Sequence, residues 1–314
     1  MTGSRILALG HYQPSRVLTN DDLAQIVDTN DEWIRDRVGI ATRRIADSET
    51  VADMAGFAAE KALANAGLTP SDIDLVVVAT CSSVDRSPNV ACRVAAKLGI
   101  NAPGAYDLNT ACSGFSYALG TVDHAIRAGA ARNALVIGAE KLSDFTDWTD
   151  RSTCIIFGDG AGAAVVTAAA EDEAPGVGPV IWGSVPEKSD AVRIEGWRPY
   201  IQQEGQQVFR WATTALAPLA LQACERAGVA PEEIAAFVPH QANARIIDGI
   251  AKRLGMPQAV VAKDIVESGN TSAASVPLAL SKLIERREVP SGAPVLLFGF
   301  GGGLTYAGQV VRCP

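Results

Sequence analysis

The sequence is short of the residues that mark several large classes of protein. Its 314 residues hold three histidines: His11, His124 and His240. Its six cysteines (Cys81, Cys92, Cys112, Cys154, Cys224 and Cys313) are scattered and form no C-x-x-C pair. Neither a zinc site nor a disulfide framework is therefore expected, and a reducing compartment fits better. No run reaches the roughly 18 apolar residues of a membrane span. No basic-then-apolar leader precedes the strand-like Arg5-Ile6-Leu7-Ala8-Leu9, so the expected location is the cytoplasm. Positive charge is also scarce. The net charge of −8 argues against general nucleic-acid binding, though a local basic patch could still face an acidic partner.

Apolar mass and repetition take the place of these features. With 48% hydrophobic residues, the chain can bury a large core, as one duplicated unit or as two domains. Residues 61–78 are echoed by 222–238: a helix ended by Gly67 or Gly228, a Pro70 or Pro231 turn, then an apolar strand. The echo continues with 94–100 against 250–256, and with 133–139 against 293–299. Apolar strands alternate with amphipathic helices in both halves, which predicts two α/β layers related by a pseudo-twofold axis. The halves are expected at 1–170 and 171–314, with the seam in the polar, Pro/Gly-bearing stretch 168–176. Residues 182–207 have the weakest periodicity and are expected to form loops over the C-terminal half.

The chemistry-bearing residues fall at matched strand ends. A strand-like stretch at 104–108, expected to be buried, leads through small residues to Cys112 at the start of a long helical pattern. A helix N-terminus stabilises a thiolate, so Cys112 is a candidate nucleophile; taken alone it reads as a small buried hydrophobe. In the second half, His240 directly follows the strand 236–238, and Asn270 precedes the helix that mirrors the Cys112 helix. His240 alone could be a satisfied core histidine, and Asn270 alone a helix cap. The pseudo-twofold brings them to Cys112, with Cys112 and Asn270 at matched helix starts. His124 lies about 18 Å along the Cys112 helix, and His11 lies in the N-terminal strand-loop, which leaves Cys-His-Asn. The run Gly301-Gly302-Gly303 between two strands can adopt positive φ and bring the Gly302 N–H, with that of Cys112, to an oxyanion; a tight hairpin needs the same glycines. Phe157-Gly158-Asp159-Gly160-Ala161-Gly162-Ala163 lacks the Lys-Ser/Thr ending of a phosphate loop and reads as a structural turn.

Together these blocks resemble 3-oxoacyl-[acyl-carrier-protein] synthase III over nearly the whole chain. The resemblance rests on Asp31-Glu32-Trp33-Ile34, Arg37-Val38-Gly39-Ile40, the Cys112, His240 and Asn270 blocks, the Phe157–Ala164 stretch and the triple glycine. It implies an α/β thiolase-like fold, its two halves layered α-β-α-β-α. It also implies decarboxylative condensation of an acyl-CoA with malonyl-acyl carrier protein, starting fatty-acid or polyketide synthesis. Cys112, His240 and Asn270 would be the triad. Trp33, Arg37 and Arg151 would hold the nucleotide end of coenzyme A, with Gly205 and Asn243 beside its pantetheine arm. Arg210, Arg245, Lys252 and Arg253 would receive the acidic carrier protein, and Ser87 and Phe300 would border the acyl pocket. No metal or redox cofactor is implied, acyl-CoA being a substrate, and a homodimer is expected. Ser87 stands where several relatives carry a bulky Phe that reads across the dimer interface, and 188–200 is short, which leaves the primer open. Neutral His240 is the useful state, so activity is expected to fall in acid. The alternative is an acyltransferase of the same fold that moves an acyl group to an alcohol or amine. A non-catalytic partner subunit would not need to keep the triad.

Overall fold

Apolar runs such as Leu75–Ala79 have no polar face, so strands of this kind must be covered on both sides. The computed structural model, which describes residues 3–196 and 200–314, meets this requirement with five layers. The first sheet contains β1 (Ser4–Tyr12), β2 (Leu75–Ala79), β3 (Gly104–Leu108), β4 (Asn133–Lys141) and β5 (Asp159–Ala168) in the order β1-β5-β4-β2-β3. The second contains β6 (Ile181–Ser184), β7 (Ala236–Pro239), β8 (Val260–Val261), β9 (Pro294–Gly301) and β10 (Thr305–Arg312) in the order β6-β10-β9-β7-β8. The two orders are the same path repeated. In each sheet the second strand runs parallel to the third and fourth, and the other two pairings are antiparallel.

The main helices are α1 (Asp31–Val38), α2 (Val51–Ala66), α3 (Val90–Leu98), α4 (Gly114–Arg127), α5 (Gly205–Ala227), α6 (Ala244–Leu254) and α7 (Ser275–Glu285). Successive strand residues point to opposite faces, and both faces are filled. Val76 and Val78 pack outward with Met54 and Ala58 of α2 and Val94 of α3. Val77 packs inward with Phe115 and Leu119 of α4 and Leu280 of α7, which lie between the sheets. Beyond the second sheet, Phe237 and Leu296 pack with Leu216 of α5 and Ile250 of α6. This is the α-β-α-β-α layering of the thiolase-like fold. β5 ends at Ala168 and β6 begins at Ile181.

Three expectations change. First, the repeat register moves by one residue: Leu75 pairs with Ala134 and Ala236 with Val295, so Gly138 matches Gly299 rather than Phe298. The cause is steric, because each glycine lies where the other half's helix start crosses. A Cβ at Gly138 would sit 2.2 Å from the Ala273 carbonyl oxygen, and one at Gly299 would sit 2.9 Å from the Ser113 Cα. Second, 182–207 is not all loop. Trp182 pairs with Ala307 in the edge strand β6, a 3-10 turn covers Pro186–Ala191, Val192–Arg193 pairs with Gln202–Gln203, and α5 starts at Gly205. Within the expected short loop 188–200, Trp197, Arg198 and Pro199 lie outside the described residues. Third, β3 is not buried. It is the open edge of its sheet, with Gly104 and Tyr106 exposed.

Candidate active site

The two inner helices begin with the same backbone device. Ala111 and Ser272 both take φ of 45°, a left-handed conformation that costs energy in a non-glycine residue. Each opens a 3-10 turn, Ala111–Ser113 and Ser272–Ala274. The Asn109 side chain accepts from the Ala111 N–H at 3.2 Å, and the Asn270 side chain accepts from the Ser272 N–H at 2.8 Å. Asn109 is thus the match of Asn270, and Ala273 the match of Cys112. Cys112 and Asn270 thus sit at matched helix starts, as expected, but at different positions of the turn. Cys112 rides on the 3-10 turn ahead of α4, three residues past the asparagine of its own half.

One cavity of about 830 Å³ gathers Cys112, His240 and Asn270. Gly301 lets β9 approach the thiol, since a Cβ there would lie 2.8 Å from the Cys112 sulfur. Of the three glycines, Gly303 alone has positive φ, at 120°. Burial pushes the Cys112 thiol up to about 11, and the negative charge of Glu140 adds to the rise, against the lowering influence of the Ser272 hydroxyl and the N–H groups of Gly302 and Cys112. The helix-start argument for a resting thiolate is therefore outweighed by desolvation. Burial thus favours the thiol form of Cys112 at rest.

His240 and Asn270 are oriented as donors. The His240 Nδ1 lies 2.7 Å from the Ser275 hydroxyl, which itself accepts from the Gln241 N–H at 3.4 Å. With the Ser275 hydroxyl donating to Nδ1, Nε2 carries the hydrogen and can donate into the cavity. The ring stands edge-on to Phe300, with centroids 5.2 Å apart. Burial holds the imidazole down to about 3, so it stays neutral far below the pH at which a free histidine titrates. The fall of activity in acid therefore cannot come from His240 near neutrality. Asn270 spends its side-chain oxygen on Ser272, which leaves its NH₂ free to donate. Its backbone is clamped by the turn at Phe157-Gly158: Asn270 N–H donates to Ile156 O at 2.9 Å and Gly158 N–H to Asn270 O at 3.0 Å. The glycine-rich stretch is thus structural, and it positions Asn270. Its Asp159 carboxylate accepts from the Ala46 N–H and from Ser143, and burial raises it to about 6.

The mouth is cationic and aromatic. The Arg151 guanidinium lies 4.5 Å, and that of Arg37 5.7 Å, from the Trp33 ring centre. The Asn243 side chain donates to Arg37 O at 3.1 Å and caps α6 through the Arg245 N–H. Gly205, Arg210, Arg245 and Phe300 also line the cavity. Ser87, Lys252 and Arg253 do not. Ser87 is exposed on the crossover from β2 to α3, at the open edge of the sheet, so no pocket wall forms there within one chain. Lys252 and Arg253 are exposed in the last turn of α6, where Arg253 donates to the carbonyls of Thr213 and Thr214. Sequence reasoning missed the apolar wall Ile155-Ile156-Phe157, the orienting Ser275 and the thiol's neighbour Ser272. Both serines lay inside a motif already singled out; the wall carried no signal beyond hydrophobicity. Among the described residues, no cluster of three or more His, Cys, Asp or Glu side chains could hold a metal, and no helix is long and apolar enough to cross a membrane.

Comparison with known proteins agrees with this geometry. Residues 106–186 match the family described as 3-oxoacyl-[acyl-carrier-protein] synthase III, and residues 224–313 match its C-terminal part. The chain is 66% identical to beta-ketoacyl-[acyl-carrier-protein] synthase III 4 of Streptomyces coelicolor over 99% of both chains. It is 48% identical to a beta-ketoacyl-[acyl-carrier-protein] synthase III of Mycobacteroides abscessus, over 98% of this chain and 94% of that one. Among solved structures, the priming beta-ketosynthase of the R1128 polyketide pathway aligns with TM-score 0.96 at 42% identity, covering 99% of this chain and 96% of that one. The 3-oxoacyl-[acyl-carrier-protein] synthase III of Aquifex aeolicus aligns with TM-score 0.94 at 44% identity, covering 99% of this chain and 100% of that one. The chain belongs to the 3-oxoacyl-[acyl-carrier-protein] synthase III family.

Proposed function

We propose that this enzyme condenses an acyl-CoA primer with malonyl-acyl carrier protein, releasing CO₂ and giving a 3-oxoacyl carrier protein that starts a fatty-acid or polyketide chain. The observation that carries this reading is one cavity holding a thiol and two neutral N–H donors, His240 and Asn270, behind a Trp33–arginine mouth. Cys112 sulfur attacks the thioester of the primer, and the N–H groups of Cys112 and Gly302 hold the tetrahedral oxyanion. CoA leaves and the acyl group stays on sulfur. The malonyl thioester then enters, its carbonyl oxygen accepts from His240 Nε2 and the Asn270 amide, and CO₂ departs as the enolate forms. Two neutral donors suit this step. An imidazolium would protonate the enolate, and an acceptor would repel it. The enolate carbon attacks the acyl-Cys112 carbonyl and expels the sulfur. No metal or redox cofactor enters these steps.

Trp33, Arg37 and Arg151 take the nucleotide end of CoA, with Gly205 and Asn243 along its arm. Arg210 and Arg245 meet the carrier protein at the mouth, and Lys252 and Arg253 extend that surface along α6. The working form is a homodimer. β3 leaves a row of unpaired backbone groups beside exposed Tyr106, and Val84 is 72% exposed in the neighbouring crossover. Pairing there would also give Ser87 a cavity to face. The test supplies acetyl-CoA and four- to six-carbon acyl-CoAs with malonyl carrier protein, and measures CO₂ and the mass of the carrier-bound product. A product whose mass is that of malonyl carrier protein plus the primer acyl group less CO₂, with one CO₂ released for each, supports the reading. Acyl transfer to an alcohol or amine without CO₂ would replace it.

A further inference from the structure

Arg43 is a cation with no part in the reaction above. It lies in a short antiparallel ribbon, Val17–Thr19 with Thr42–Arg44, that brackets α1, and it is 0% exposed. Among the described residues no carboxylate pairs with its guanidinium. One terminal nitrogen, Nη1, donates to the Asn20 side-chain oxygen at 2.8 Å and to Leu18 O at 3.3 Å, and the other, Nη2, donates to Ile155 O at 2.8 Å. Asn20 is fixed in turn, since its NH₂ donates to the Asp31 carboxylate and to Ile40 O, each at 2.8 Å. The stem of Arg43 is also enclosed. A Cβ at Gly158 and one at Gly269 would each lie 3.1 Å from the Arg43 Cβ. A continuous set of contacts therefore runs from the ribbon to both sides of the pair Phe157 and Asn270.

That pair needs an anchor. Residues 151–156 form a run of turns, Phe157 and Asn270 join through an isolated parallel bridge, and neither belongs to a sheet. The clamp at Ile156 and Gly158 thus holds Asn270 to the wall but does not fix where wall and amide stand together. Arg43 supplies that constraint. Its head grips the carbonyl one residue before Ile156, whose own oxygen accepts from the Asn270 N–H at 2.9 Å. The neighbouring backbone braces the other side: Ala41 N–H donates to Val266 O at 2.7 Å, and the Thr42 hydroxyl donates to Glu267 O at 2.9 Å. A buried guanidinium without a carboxylate is costly, and an apolar side chain of similar volume is often as stable or more so. An apolar chain cannot grip acceptors on two segments at once. The arginine fork can, because its donors are fixed in one plane at the end of a long stem, and a charged donor binds a carbonyl more strongly than a neutral one. Burial lowers the guanidinium to about 10, so it stays charged through neutrality.

We propose that Arg43 is a positioning residue for Asn270: it ties the wall Ile155-Ile156-Phe157 to the ribbon beside Asn20, and so sets where the Asn270 amide meets the malonyl thioester. Arg43 touches neither the substrate nor the reacting atoms. The inference rests on the proposed role of Asn270 as a donor to the enolate oxygen, and it assigns Arg43 to one half of the cycle. Decarboxylation needs the Asn270 amide within hydrogen-bonding reach of the oxygen that gains charge, and a displaced donor loses part of that bond. Acylation of Cys112 uses the N–H groups of Cys112 and Gly302, which stand on the 3-10 turn ahead of α4 and just past β9 rather than on the Arg43 network.

The test measures the two half-reactions separately: single-turnover acylation of Cys112 by acetyl-CoA, read by protein mass, and CO₂ release from malonyl carrier protein without primer. Both are run in the parent, Asn270→Ala, Arg43→Met, Arg43→Lys, and each Arg43 variant combined with Asn270→Ala. Arg43→Met should slow CO₂ release by up to about 10²-fold, the cost of misplacing a group by about 1 Å, and change acylation little. Arg43→Lys should lie between the parent and Arg43→Met, since it keeps the stem and the charge but has no fork to hold Asn20 and Ile155 together. In the Asn270→Ala background, either Arg43 variant should cause almost no further loss of CO₂ release, because no amide is left to place. Should Arg43→Met fail to fold, Arg43→Lys carries both comparisons. Folded Arg43 variants that slow both half-reactions alike, or whose loss adds in full to that of Asn270→Ala, would make Arg43 a structural brace only and overturn the inference while leaving the reaction in place. No CO₂ release from the parent, or equal loss of both half-reactions in Asn270→Ala, would overturn the reading of Asn270 and the inference with it.

Discussion

Residues 109–114 and 270–275 build the same turn twice, from Asn-Thr-Ala-Cys-Ser-Gly and Asn-Thr-Ser-Ala-Ala-Ser. Both turns strain one residue to φ of 45°, tie it with an asparagine side chain and hand over to an inner helix. Their chemistry differs completely. The first turn carries a thiol, and its Asn109 is exposed. The second carries no thiol, and its Asn270 is 7% exposed, with the amide turned to the cavity. The central strands opposite them differ in the same complementary way, with Gly301 beside the thiol and Glu140 beside the Ala273 N–H. A duplicated fold supplies two equivalent frames around one axis. In the proposed reaction, function comes from filling them unequally, so that one half provides the nucleophile and the other provides donors to charge developing on the substrate.

The largest break in this comparison should come from Cys112→Ala, which removes all acyl adduct from the protein on mass spectrometry. Adding Ala273→Cys in that background should not restore it, although it places a thiol on the matched turn, because residue 273 is 1% exposed, packs in the inner core and does not line the cavity. Recovery of acylation there would mean that the turn alone suffices. Next, Gly301→Ala would force a methyl to 2.6 Å from the Cys112 Cβ. Overpacking of this kind costs about 1–3 kcal/mol, so the melting temperature should drop and acylation should slow as the thiol is displaced. Unchanged acylation kinetics would show that the turn has slack.

His240→Ala and Asn270→Ala should slow malonyl decarboxylation more than Cys112 acylation, by about 2.7–4 kcal/mol for each donor lost. Equal loss of both half-reactions would erase the division of labour between the halves. Arg245→Glu should raise KM for malonyl carrier protein more than Lys252→Glu does, since Arg245 lines the cavity and Lys252 does not. Both effects should fade with added salt, because exposed charges are screened over about 8–10 Å. Equal effects would move the docking centre along α6.

A separate effect concerns stability in acid. The folded-state pKa of His240 is lowered to about 3 from 6.5. Below 6.5 the unfolded chain therefore binds a proton that the folded chain refuses until pH nears 3. His240 accordingly costs stability as pH falls through that window and contributes nothing above it, with a slope of about 1.4 kcal/mol per pH unit. His240→Gln should flatten the acid limb of the melting curve by one proton's worth. An unaltered limb would mean that the imidazole is protonated in the folded state.

The parts of this arrangement legible in the sequence are those that depend on local pattern. The strand at Gly104–Leu108, the Pro70 and Pro231 turns and the residues of the triad can all be read from apolar runs, glycine stops and unusual polar residues. The parts that were not legible depend on packing between the halves. The register of β4 against β9 is set by which glycine faces which turn, and a list of similar residues is compatible with a slip of one. The ionisation of Cys112 turns on desolvation, which opposes the helix-start effect and exceeds it here. Ser87 is exposed and lines no cavity within one chain, so the sequence pattern there has no pocket to report on.

The most direct measurement of the central claim is peptide mapping of the acylated enzyme before and after a chase with malonyl carrier protein. Incubation with an acyl-CoA should place one acyl group on the peptide containing Cys112. The chase should clear that group into a 3-oxoacyl carrier protein, with release of one CO₂. An acyl group on any other peptide, or one that the chase removes without CO₂, would contradict the assignment of the nucleophile to the first half and of enolate stabilisation to the second.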